Sequence, residues 1–261
     1  GMELALVSSG AVAAGRHVLG IPREGRGLPL RQVLAAVGQS HLMHAYEELF
    51  AKHDIPVAQA LLSRRDLTDR LGYLNVRNTL LSLLDRRVVP IINENDVVAV
   101  EELTGEVFGD NDNLSAMVAN LVDADLLVVL GIIDGLYTAD PHLDTSARLI
   151  ETVERLDERI EPMGGPSWEN QGQGGMATKL EAATLAIASG VPVVIASGTE
   201  RDVLGRLVSG ERIGTYFMAT GTKIESRKRW MLSGLSTRGE ILVDDGAVRA
   251  LRDQNRSLLP A

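Results

Sequence analysis

The chain has 261 residues, 45% of them hydrophobic and only 3% aromatic, with no cysteine and a formal net charge of −9. That acidity leaves no global basic field for nucleic acid, and the lack of cysteine excludes disulfides, zinc–thiolate sites and a cysteine nucleophile. No apolar run reaches the roughly 18 residues that a membrane span requires, and the length suits one large α/β domain with a fragment of a second.

The run "ELALV" (3–7) reads as a strand, and "SSGAVAAG" (8–15) as a glycine turn entering a helix. Leu30, Val33, Leu34, Val37, Leu42, Met43 and Leu49 recur at helical spacing and predict a long helix over 30–53. A strand over 55–62, a helix over 71–87 and a buried strand over 88–92 follow. Next come a helix from Leu114 to residue 122 and a strand over 124–133. A helix over 179–190 stops at Gly190, a favoured C-terminal residue. A strand over 191–197, a short helix over 201–210 and an edge strand over 214–218 complete the series. The alternation predicts an α/β fold, a three-layer αβα sandwich with a mainly parallel sheet. In such folds ligands bind at the carboxyl ends of strands. Composition shifts near residue 222. Residues 1–222 are read as the main domain, and 223–261 as a basic linker and the beginning of an incomplete β-rich domain.

Four polar clusters sit just after predicted strands. Ser8-Ser9-Gly10 lets backbone N–H groups and a helix N-terminus approach an anion, and it also fits an ordinary strand-to-helix turn. Asn93, Glu94, Asn95 and Asp96 follow the strand over 88–92, where a carboxylate can hold an ammonium group; a polar surface loop has the same composition. In "FGDNDNLSA" (108–116), Asp112 or Asn113 can cap a helix that begins near Leu114. Asp110 and Asn111 are then free to join Asp96 in an acidic, amide-rich wall suited to the amino group of an amino acid, whose carboxylate would go to backbone amides and Ser9. "GQGGMATK" (172–179) puts flexible glycines before Lys179 at a helix start, which suits a polyphosphate, although no Walker A loop is present. His41 and His44 share helical spacing but lack a third ligand, so no metal site is assigned to them.

Together "VSSGAVAAG", "LAAVGQS", "YLNVRNTLLSLL", "VPIINENDVVAV", "FGDNDNLSA", "DGLYTADP" and "GGMATKLEAA" resemble the amino acid kinase family, in the branch that phosphorylates glutamate. "RKRWM" and "GEILVDDGAVRAL" resemble that branch's linker and the start of its PUA domain. The resemblance implies transfer of the γ-phosphate of ATP to the γ-carboxylate of L-glutamate, the first step of proline biosynthesis, in the cytoplasm. ATP and Mg²⁺ would be needed, proline is the implied feedback inhibitor, and a homo-oligomer (dimer or tetramer) is implied. Ser9, Asp96 and Asn111 would hold glutamate. Gly174, Gly175, Met176, Ala177, Thr178 and Lys179 would lie along the ATP phosphates, with Lys179 as the catalytic residue.

Two departures from the family pattern stand out. The family's first strand and its phosphate-binding lysine loop would fall before Gly1. Gly131-Ile132 replaces a Thr-Asp or Ser-Asp pair whose aspartate organises the catalytic lysines in the family. These departures lead to an expectation of weak or absent turnover. They keep open a non-enzymatic module that binds glutamate or proline. Another amino acid kinase, acting on aspartate, acetylglutamate or a nucleotide, is the enzymatic alternative.

Overall fold

Short runs rich in Val, Ile and Leu pair into strands, and the amphipathic segments between them pack as helices. The computed structural model describes residues 2–22, 27–98, 111–141, 143–156, 160, 163 and 175–219. The predicted β-rich segment 223–261, Asp110 and Gly174 lie outside the described residues.

Strands β1 (Leu6–Val7), β2 (Val57–Leu62) and β3 (Val89–Glu94) form a parallel sheet in the order β1-β3-β2. Helices α1 (Ala11–Leu19) and α2 (Leu28–Ala51) connect β1 to β2, and α3 (Arg64–Thr68) and α4 (Arg70–Asp85) connect β2 to β3. The centre of β3 is buried from Val89 to Asn93, as expected of a parallel strand covered on both faces. Asp66 ties the start of α3 by accepting from both the Ser63 N–H and the Ser63 hydroxyl, at 2.8 and 2.6 Å.

Helices α5 (Asn111–Leu121), α6 (Met176–Ala188) and α7 (Val203–Val208) accompany a second sheet. Its strands are β4 (Leu127–Gly131), β5 (Thr152–Val153), β6 (Val193–Ser197) and β7 (Thr215–Phe217), in the order β4-β6-β7-β5. β4 pairs with β6 and β5 with β7 in parallel; only β6 and β7 are antiparallel. The α/β class and the mainly parallel pairing therefore match the sequence reading. The strands nevertheless form two hydrogen-bonded sheets among the described residues, not one. The predicted edge strand over 214–218 is also corrected, because β7 lies between β6 and β5. Thr215 and Phe217 are buried while Tyr216 is exposed, the alternation of a paired strand with one covered face. Two-residue β5 is too short to give a periodic signal.

Two contacts fix the helices that matter for the site. At Gly15 of α1 a β-carbon would fall 1.9 Å from the Leu34 carbonyl oxygen, and at Gly38 of α2 it would fall 1.8 Å from that of Ala11. The two helices thus meet backbone to backbone, which only glycine permits. Helix α5 is shared between two cores. Leu114, Val118 and Leu121 pack with Leu62, Leu80 and Ile92 of the first sheet's core. Ala116 and Ala119 pack with Val129, Ala182, Val193 and Ile195 of the second. Arg77 of α4 holds the far end of α5, donating to the Leu121 carbonyl and lying 2.6 Å from Asp123. Among the described residues no helix is long and apolar enough to cross a membrane.

Candidate active site

The first half of the site is built at the carboxyl ends of β1 and β3. The Ser8 N–H extends the pairing by donating to the Ile92 carbonyl, 2.9 Å away. The chain then turns through Gly10, whose φ of 113° is a left-handed conformation that glycine adopts without strain, and enters α1. No side chain caps this end, so the first-turn amides of α1 face the strand ends as potential anion donors. Ser9 is exposed at this turn, whereas Ser8 is buried with its hydroxyl 2.8 Å from that of Tyr46 on α2.

Asn111 begins α5 and donates from Nδ2 to the Ser8 carbonyl at 3.2 Å, which leaves its Oδ1 as the acceptor end. Buried Asn93 accepts the Glu94 N–H at Oδ1, 2.8 Å, and donates from Nδ2 to Gln39 Oε1, 2.9 Å. The Asp96 carboxylate lies 3.4 Å from the Arg31 guanidinium, which also faces Glu94 at 3.9 Å. Ser9, Asp96 and Asn111 therefore gather around the same two strand ends. Sequence reasoning missed the contribution of α2, whose Arg31, Gln39 and Tyr46 all reach this region. The available signal was Gln39, a lone amide on the face that carries buried Leu34, Ala35 and Met43.

The second half lies at the ends of β4 and β6, where Gly131 pairs with Ser197 and accepts the Gly198 N–H at 2.7 Å. Helix α6 begins after Gly175, again without a side-chain cap. Met176, Ala177, Thr178 and Lys179 form its first turn, and Met176 also packs on the second core. Lys179 is only 8% exposed, and its Nζ lies 2.8 Å from Asp112 Oδ2. The Thr178 hydroxyl is 3.0 Å from the same oxygen.

This geometry corrects one expectation. Asp112 and Asn113 do not cap a helix starting at Leu114: α5 already begins at Asn111, and both lie in its first turn. Asp112 turns instead towards Lys179, and Asn113 Nδ2 faces Glu181 at 3.5 Å. At the other departure from the family pattern, Ile132 is 85% exposed, and the carboxylate that Lys179 meets is that of Asp112. Gly131 contributes too, because a β-carbon there would come within 2.9 Å of Lys179 Cε. The lysine stem crosses the strand end so closely that a side chain at 131 would have to push it aside.

His41 and His44 lie on the exposed side of α2, with His44 3.5 Å from Glu48. No group of three or more His, Asp or Glu suited to a metal occurs among the described residues.

A parallel-rich α/β fold with an uncapped helix start at each half, and a lysine–aspartate pair between them, defines a phosphotransferase-like architecture. The chain belongs to the amino acid kinase family, whose family model matches residues 1–197. Within that family it is similar over its whole length to glutamate 5-kinases. It is 56% identical to the glutamate 5-kinase of Dehalococcoides mccartyi (strain ATCC BAA-2266 / KCTC 15142 / 195), covering all of this chain and 70% of that protein. It is 54% identical, with the same coverage, to that of Herpetosiphon aurantiacus. The fold also resembles the crystal structure of uridylate kinase from Archaeoglobus fulgidus, with a TM-score of 0.53 at 18% identity over 82% of this chain and 84% of that one.

Proposed function

We propose that the chain transfers the γ-phosphoryl group of ATP to the γ-carboxylate of L-glutamate, the first step of proline biosynthesis. The observation that carries this reading is the junction at the start of α5. Asn111 reaches the first half through the Ser8 carbonyl, and its neighbour Asp112 reaches the second half through Lys179. Two consecutive residues on one rigid helix thus fix the distance between an amino-acid pocket and a phosphate-binding turn.

In this reading the substrate ammonium lies between Asp96 and Asn111 Oδ1. The α-carboxylate takes the first-turn amides of α1 and Ser9. The ATP phosphates lie along residues 174–179. Phosphoryl transfer asks for positioning and charge stabilisation more than covalent help. Lys179, oriented by Asp112, supplies a cation where charge spreads over the transferring group. The bond from the γ-phosphorus to the bridging oxygen breaks, a bond to the glutamate γ-carboxylate oxygen forms, and ADP leaves. Mg²⁺ would be carried mainly on the nucleotide phosphates. When bound, Mg²⁺ neutralises charge on those oxygens. A cytoplasmic location, feedback inhibition by proline and a homo-oligomeric state belong to the same proposal.

The test is a coupled ADP-release assay with ATP, Mg²⁺ and, in separate arms, L-glutamate, L-aspartate, N-acetyl-L-glutamate and UMP. Release that depends on L-glutamate and is inhibited by L-proline is the expected result. Release that follows another acceptor, or needs none, overturns the reading. Binding of glutamate without turnover would favour the non-enzymatic module.

A further inference from the structure

We infer that Gln39 is a specificity-determining residue of the amino-acid pocket, with its side-chain N–H group recognising the substrate α-carboxylate. The inference rests on the function proposed above. It begins with which end of each amide points where. The Glu94 backbone N–H can only donate, so the Asn93 atom 2.8 Å from it must be the oxygen. Asn93 therefore turns its NH₂ towards Gln39, and Gln39 must answer with Oε1 at 2.9 Å. The chain of donors and acceptors leaves Gln39 Nε2 as the spare end. No flip of either amide is compatible with the Glu94 N–H.

That spare end is unsatisfied. Gln39 is 9% exposed, and Nε2 is closed to solvent without a hydrogen-bond partner among the described residues. A buried donor in this state is a standing cost to the free protein, relieved when an acceptor arrives. The position says which acceptor. Gln39 follows Gly38, whose contact with Ala11 and Gly15 sets α2 against the start of α1. Its amide therefore stands beside Asn93 at the end of β3, near the uncapped first turn of α1. An anion seated on those backbone amides is the acceptor that fits, and in an amino-acid substrate that anion is the α-carboxylate. The helix start attracts negative charge without regard to shape, whereas Gln39 adds a donor with a fixed direction. With donors on both sides, a carboxylate can accept at each oxygen, whereas a carboxamide must turn its NH₂ towards one of them.

The test uses the purified chain and compares L-glutamate with its α-amide, isoglutamine. Gln39→Glu keeps an oxygen for Asn93 Nδ2 and replaces the spare donor with an acceptor. The KM for glutamate should rise about tenfold or more, a factor of ten being about 1.4 kcal/mol. The KM for ATP should stay within about twofold of wild type. The preference for glutamate over isoglutamine, as a ratio of kcat/KM values, should fall about tenfold, because a carboxamide can donate to the new oxygen. Lowering the pH should restore part of the glutamate affinity as the introduced carboxyl gains a proton and becomes a donor again. Gln39→Met serves as the second variant, since it carries no buried charge. It should raise the glutamate KM without a pH-dependent recovery. Equal losses on both substrates, or an unchanged glutamate KM in a folded variant, would overturn the assignment while leaving the kinase reading intact. A wild-type chain that releases no ADP with glutamate would remove the kinase reading itself and this inference with it.

Discussion

Lys179 occupies the first turn of a helix, where lysine side chains ordinarily extend into water. Here its ammonium is held 2.8 Å from Asp112, and its stem passes over Gly131. A lysine held this way needs no reorganisation when charge develops on a nearby phosphoryl group, which is the condition for strong electrostatic stabilisation. Lys179→Ala should therefore lower kcat by about 10²–10³, with a smaller change in the KM for glutamate; a loss below threefold in the ADP-release assay would remove Lys179 from the chemistry. Gly131→Ala tests the same geometry without touching charge. The added methyl would lie 2.9 Å from Lys179 Cε and push the stem away from Asp112. A displacement of this kind should cost about tenfold in kcat, less than the roughly hundredfold that a misplacement of about 1 Å can cost, while the melting temperature changes little. Neither effect was legible in the sequence. Lys179 and Asp112 are 67 positions apart, and periodicity says nothing about which distant polar groups will meet. What could be read was local: an amide- and acid-rich stretch before a helix, and glycines before a lysine.

Elements were more legible than pairings, because apolar spacing and glycine stops are local signals. The long helix over residues 30–53 appeared as α2, shifted by two residues so that Pro29 falls in its first turn, a favoured place for proline. Helices α5 and α6 each start three residues before the sequence suggested, because the polar residues ahead of Leu114 and the residues Met176 to Thr178 belong to the first turns. Strand partners were not legible at all, since a two-residue strand such as β5 carries no alternation. The α1–α2 pair shows what such local reading leaves out. Gly38 resembles an unremarkable helical glycine in the sequence, yet a β-carbon there would fall 1.8 Å from a backbone oxygen that cannot move alone. Gly38→Ala must spread the two helices, and overpacking of this severity should destabilise by about 3 kcal/mol or more. Urea denaturation would measure it. A variant as stable as wild type would mean that α1 and α2 can separate freely.

On the scale of the whole molecule, hydrogen bonds tune two surface carboxyls. Hydrogen bonds from Arg206 hold the Glu211 carboxyl below its ordinary value, and those from Ser146 do the same for Asp144. A carboxyl with a lowered folded-state pKa contributes stability above its unfolded pKa, and the contribution is lost as the pH falls through the folded value. Both groups are exposed, so each contribution is small. Arg206→Gln should therefore lower the melting temperature slightly at pH 7, and the difference from wild type should shrink as the pH falls through the folded-state value of Glu211 and be gone in strong acid. A difference that persists in acid would show that Arg206 acts through packing instead.

The sharing of α5 between two cores has a consequence in time as well as in space. Opening the first sheet strips Leu114, Val118 and Leu121, and opening the second strips Ala116 and Ala119, but neither event alone frees the helix. Its backbone amides can exchange with deuterated water only when both cores have come apart. The amides of residues 115–121 should then be among the slowest in the chain, exchanging at the rate set by global unfolding. Those of α1, which packs chiefly on α2, should exchange through smaller openings. Mass-resolved exchange would read the order directly, and rapid labelling of α5 while β6 stays protected would show that the two halves open independently. With both cores required to release it, the helix that spaces the two halves would be the last part of the molecule to lose its shape.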